Sequence, residues 1–109
     1  MGPSEFAAAC KSERDAMLRL YTDASVTTGV SKHLQAAALS EEQRKHVLAA
    51  LDAALTDAFY TLLLSLDGAA SLSGEQHQFN LTDEAGNLIA NGDGSLEEAA
   101  WSTFQGSAV

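Results

Sequence analysis

The chain has 109 residues, enough for one hydrophobic core and too few for two independent ones. Fifteen Asp and Glu against six Lys and Arg give a formal net charge of −9, which disfavours direct binding of nucleic acid and favours encounter with a basic partner. Apolar residues make up 46% of the sequence, but many are alanine, so the core must draw on the leucines, four phenylalanines, Tyr21, Tyr60 and Trp101.

At the start, Glu5 lies close behind Met1 and no apolar run follows, so no secretory signal is visible and the cytoplasm is the expected compartment. Cys10 is the single cysteine, which rules out an intramolecular disulfide and fits a reducing setting. Pro3 and Ser4 start a first helix through about Thr22, with Phe6, Cys10, Met17, Leu20 and Tyr21 near one face. Lys11, Arg14, Asp15 and Arg19 fall mostly on other faces, and Ser12 is an alternative start. Residues 25–29 are poor helix formers without alternation and form a connector. Ser31 then caps a short helix through Ala38 that buries Leu34 and either Ala37 or Ala38.

Residues 40–68 carry the sharpest pattern in the chain. Ser40 and Gln43 make a capping box. Val47, Leu48, Leu51, Leu55, Phe59, Leu62, Leu63 and Leu66 recur at three- and four-residue spacing, which predicts one long amphipathic helix with a buried stripe. Gly68 ends it, because glycine accepts the left-handed conformation of a helix C-terminus. The uncharged run 58–66 is about half of the roughly 20 residues that cross a bilayer, and predicts a buried helix end without membrane contact.

After a small-residue connector, His77, Phe79 and Leu81 alternate with Gln78, Asn80 and Thr82, which predicts a strand. Asp83-Glu84-Ala85-Gly86-Asn87 supplies turn chemistry and Leu88-Ile89-Ala90 returns, giving a β-hairpin at about 76–91. Its apolar face must rest on helices, since two strands alone are marginal in water. Ser95 and Glu98 form a further capping box for a last helix ending near Gln105, with Leu96, Ala100 and Phe104 on one side and Trp101 flanking them. Residues 106–109 are expected to fray. The predicted fold is α+β and mostly helical: one domain over 1–109, with shorter helices packed on a long central one and a small antiparallel hairpin before the C-terminal helix.

Candidate chemistry is sparse. Counting back from Glu98 in a calcium-loop register puts Ile89 where an oxygen ligand is needed, so the Asp, Asn and Gly content there is turn chemistry. His33, His46 and His77 lack zinc-site spacing, and Cys10 has no glycine-rich elbow beside it. Asp52, Asp57 and Asp67 are available for acid–base work, but solvation is the default on a polar helix face. No catalytic residue, metal site or cofactor is assigned. The acidic residues are more informative together: if the hairpin turn lies beside the start of the last helix, Asp83, Glu84, Asp93, Glu97 and Glu98 form one patch, with Trp101 or Tyr60 as an aromatic anchor if exposed.

The C-terminal half, from Asp57-Ala58-Phe59-Tyr60-Thr61-Leu62-Leu63-Leu64-Ser65-Leu66-Asp67-Gly68 through Phe79-Asn80-Leu81-Thr82-Asp83-Glu84-Ala85-Gly86-Asn87 to Leu96-Glu97-Glu98-Ala99-Ala100-Trp101, resembles small bacterial proteins, some of which look like cytoplasmic immunity partners of interbacterial toxins. The resemblance implies a non-enzymatic inhibitor that occludes a basic toxin domain. The expectation is therefore a binding protein for a basic protein partner, with neither nucleic acid nor membrane as target. The alternative is a structural or regulatory domain that self-associates as a homodimer through leftover apolar helix surface.

Overall fold

The computed structural model describes residues 1–106, so the expected fraying of 107–109 lies outside the described residues. In chain order these residues form helices α1 (Pro3–Thr22), α2 (Gly29–Ala36) and α3 (Glu41–Leu66), strands β1 (Leu81–Thr82) and β2 (Leu88–Ala90), and helix α4 (Ser95–Phe104). The architecture is α+β and mostly helical, with a long central helix and a two-stranded antiparallel hairpin before the last helix.

Local chemistry sets most of the helix limits. Pro3 begins α1, and Glu5 Oε1 accepts the Gly2 N–H at 3.2 Å. The cap of α2 is Thr28 and not Ser31: Thr28 Oγ1 accepts the Ser31 N–H at 3.0 Å while Ser31 Oγ accepts the Thr28 N–H at 2.8 Å. That helix stops at Ala36, short of the expected Ala38, which takes a left-handed φ of 48°; with the helix ended, Ala37 and Ala38 are both exposed and Leu34 alone of the expected residues is buried. Ser40 and Gln43 bond reciprocally at 3.2 and 3.0 Å to start α3. At its other end Gly68 has φ 77°, and the Ala69 N–H reaches back to the Leu64 carbonyl at 2.9 Å.

The hairpin is narrower than the alternation predicts. Leu81 pairs with Ala90 and Thr82 with Leu88 across a register irregularity, whereas residues 77–80 pair with no strand. The chain opposite them turns away after Ala90, and side chains take the exposed carbonyls instead: Gln78 Nε2 donates to Asn91 and Gln76 Nε2 to Gly68. Of the hairpin, Ile89 and Ala90 enter the core and Leu88 stays exposed.

The core lies where α1, the C-terminal part of α3, β2 and α4 meet, and Ala7, Leu63, Ile89, Ala90, Leu96, Ala99, Ala100 and Phe104 are buried there. Phe6, Cys10, Phe59, Tyr60, Leu66 and Leu81 pack around them, with the Phe59 and Phe104 rings stacked at 6.5 Å. Arg14 departs from the sequence expectation by turning toward α3. Its guanidinium pairs with Asp52 and Asp15 and donates to Thr56 Oγ1 at 3.1 Å, fastening α1 to α3. It thereby occupies Asp52, one of the carboxylates considered for acid–base work.

Beyond Arg14 the molecule thins to two helices, whose far end is closed by α2 through buried Leu34. The principal extents are 46 × 29 × 29 Å and the radius of gyration is 16.4 Å, against about 13 Å for a compact chain of this length. The stripe expected to be buried along α3 is accordingly only partly covered. Leu63 is buried and Phe59 and Leu66 pack on the core, but Val47, Leu48, Leu51 and Leu55 are half-buried and Leu62 is 48% exposed. The whole of α3 is long and apolar enough to cross a membrane by length and composition, and only 6% of its most apolar 18-residue stretch is buried. The alanines between the leucines make this helix apolar on more sides than the shorter elements around it can cover.

Candidate partner-binding face

The outer surface of α4 is built around an ending and a beginning held by one side chain. Gly94, with φ 87°, is the N-terminal cap of α4 and has no side chain to offer, so the capping box expected from Ser95 and Glu98 does not form. Asp67 stands in for it from the end of α3. Its carboxylate, 4% exposed, accepts the Gly92 N–H at 3.0 Å and the Glu97 N–H at 2.9 Å, the latter in the first turn of α4. Asp93 bonds the Ser95 N–H at 2.9 Å and itself donates its N–H to Asn91 Oδ1 at 3.2 Å. The turn that aims α4 is thus fixed from three directions.

With Leu96, Ala99, Ala100 and Phe104 facing inward, helical spacing turns Glu97, Glu98 and Trp101 outward together. Trp101 is 53% exposed, and the chain comes back over its edge at Gly106, where a Cβ would stand 3.3 Å from Trp101 Cζ3. Glu97 and Glu98 are exposed, and their carboxylates form no ion pair among the described residues. Tyr60, the other aromatic anchor considered, packs against the core.

The hairpin turn is joined to this surface by the start of α1. Asp83 accepts the Ala85 and Asn87 N–H groups at 3.0 and 2.8 Å, the Asn87 side chain at 3.0 Å and the Met1 ammonium at 2.6 Å. Those donors, the ammonium first and Asn87 next, hold the Asp83 carboxyl well below the usual carboxylate range; Asp83 in turn raises the Met1 amine. Pro3 and Ser4 then line a shallow cleft with Ser95, Glu98, Ala99, Ser102 and Thr103. Of the residues proposed from the sequence, Glu97, Glu98 and Trp101 share one helix face and Glu84 is exposed on the hairpin turn. Asp83 and Asp93 are engaged by local donors, which limits what their charge offers to a partner. Asp67, not counted in the patch, is the residue that positions the face.

Elsewhere the functional groups are dispersed. Among the described residues no three His, Cys, Asp or Glu side chains converge as metal ligands. His46 contacts Glu42 and His77 contacts Glu75, each at 3.1 Å on the surface. Cys10 is half-buried, and burial pushes its thiol pKa up, away from the reactive thiolate. The main clefts of the described residues include neither Cys10 nor a histidine. Comparison with protein-family models, curated proteins and solved structures returns no match.

Proposed function

We propose that this protein acts by binding, presenting the outer face of α4 to a basic protein partner. The observation that carries the reading is Trp101, the single tryptophan, half exposed on a rigid helix beside Glu97 and Glu98. A tryptophan in that position supplies apolar contact area with little ordering cost, while the adjacent carboxylates steer a cation toward it. Glu84 and the remaining acidic surface extend the attraction, and the net charge of −9 gives it range. In its specific form the protein is an immunity-type inhibitor of the cytoplasm that covers a basic toxin domain and performs no reaction. The C-terminal likeness described above supports that form; the α4 face supports binding in general.

The test is co-expression with the product of the adjacent reading frame, followed by titration of the purified pair. Trp101→Ala is expected to weaken binding by roughly 30-fold or more, the size of an interface hot spot. The combined Glu84→Lys, Glu97→Lys and Glu98→Lys variant is expected to slow association at low salt by at least about tenfold. A complex unaffected by both sets of changes refutes the reading.

A further inference from the structure

We infer that the uncovered side of α3 is a homodimer interface, in which a second copy packs its own α3 against the first in antiparallel sense. The inference is independent of the partner-binding reading. Val47, Leu51, Ala54, Leu55, Ala58 and Leu62 lie along one side of the helix, and Ala54, Ala58 and Leu62 are exposed. From Leu51 the spacing to Leu55, Ala58 and Leu62 runs four, three, four, close to one helical turn at each step, so the four side chains keep to one seam that a second helix can follow. No charged residue interrupts this strip between Val47 and Leu62, because Asp52 turns to Arg14 and Asp57 projects to the opposite flank. A strip without charge offers nothing to the basic partner that the rest of the surface attracts. It matches another apolar helix.

The size of the exposed surface supports a second copy as the occupant. The accessible surface is 6878 Å², against about 5,800 Å² for a compact monomer of 11.4 kDa, an excess of about 1,100 Å². A standard dimer covers about 800 Å² on each subunit. A second copy therefore removes an excess of the size present here, using a surface that is its own complement about a two-fold axis. With the axis between residues 56 and 57, Leu51 of each copy opposes Leu62 of the other and Leu55 opposes Ala58, so the two central layers each set a large side chain against a small one, with a Leu–Leu layer on either side. Antiparallel pairing also opposes the helix dipoles and carries the two acidic α4 ends apart, which reduces repulsion between chains of charge −9. The α4 faces remain open at opposite ends.

Sedimentation of the full chain from low to high micromolar concentration tests the proposal. The expected species has twice the 11.4 kDa chain mass, and added salt strengthens it by screening like charges. Ala58→Glu and Leu62→Glu both change positions exposed in the single copy, so each is expected to keep the helical circular dichroism and weaken the dimer by roughly 100-fold or more. A parent chain that stays monomeric throughout, or a dimer that tolerates both changes, overturns the proposal. So does co-flotation of the parent with neutral phosphatidylcholine vesicles that Ala58→Glu abolishes, since the strip then faces lipid. Orientation is tested with Leu62→Cys in a Cys10→Ser background: the antiparallel seam holds the two thiols roughly 16 Å apart along the axis, and a rapid disulfide dimer refutes it.

Discussion

Replacing Asp67 tests most directly how this chain aims its last helix. The carboxylate is 4% exposed and accepts two backbone N–H groups, from Gly92 at 3.0 Å and Glu97 at 2.9 Å. Hydrogen bonds to a charged group are worth about 1.5–3 kcal/mol each, and the helix dipole adds about 0.3–1 kcal/mol. Removing a buried carboxylate also relieves its desolvation, so the net loss for Asp67→Ala is about 3 kcal/mol. In a domain of this size that lowers Tm by roughly 10–20 °C. Asp67→Asn keeps the shape and one acceptor oxygen, so about half of the loss is expected. Urea titration gives the free energies, and amide hydrogen exchange at Gly92 and Glu97 locates them. An alanine variant within about 1 kcal/mol of the parent, with exchange at those two amides unchanged, refutes the reasoning.

Three further outcomes follow from features already described. Leu96 is fully buried and Leu88 is 43% exposed, so Leu96→Ala is expected to cost about 2–5 kcal/mol and Leu88→Ala less than about 1 kcal/mol in the same urea assay. Gly92 has φ 86°, and a Cβ there would lie 2.6 Å from the Gln78 amide nitrogen, so Gly92→Ala is expected to cost about 1–3 kcal/mol, with Gln78→Ala recovering part of the loss when combined. Asp15, Asp23 and Asp83 all have folded pKa values below their ordinary ones, Asp15 chiefly through Arg14 and Asp23 chiefly through Ser25. Depressed carboxylate values stabilise the fold above the ordinary value near about 4, so urea midpoints are expected to hold between pH 5 and 7 and decline as pH falls below about 4. A midpoint that rises on acidification contradicts those assignments.

The parts of the fold that can be read from the sequence are those whose causes are local. Ser40 and Gln43 are three residues apart, and Gly68 acts on the turn that precedes it, so both ends of α3 follow from neighbouring residues. The Thr28 cap is masked by Ser31, an equally good capping residue that instead serves as the other half of the box. What escapes is non-local. Arg14 belongs to the interior side of α1 because Asp52 lies 38 residues ahead, and Asp67 caps a helix whose bonded amide is 30 residues away. The Gly94-Ser95 start of α4 is misread for the same reason, since its cap is supplied from outside the segment. At the candidate face, the shared orientation of Glu97, Glu98 and Trp101 follows from spacing alone. The exposure of Trp101 does not, because a lone aromatic near an apolar helix stripe is ordinarily a core residue.

The Arg14 clasp sits where the packing thins from a full core to a pair of helices. On its core side, opening α4 exposes Leu96, Ala100 and Phe104 together; on its far side, the α2 end can loosen while most of the interior remains closed. Local opening is therefore expected to be graded along the 46 Å axis, easiest at the α2 tip and hardest at α4, a gradient that amide hydrogen exchange would read. The guanidinium stands at the boundary between the two regimes.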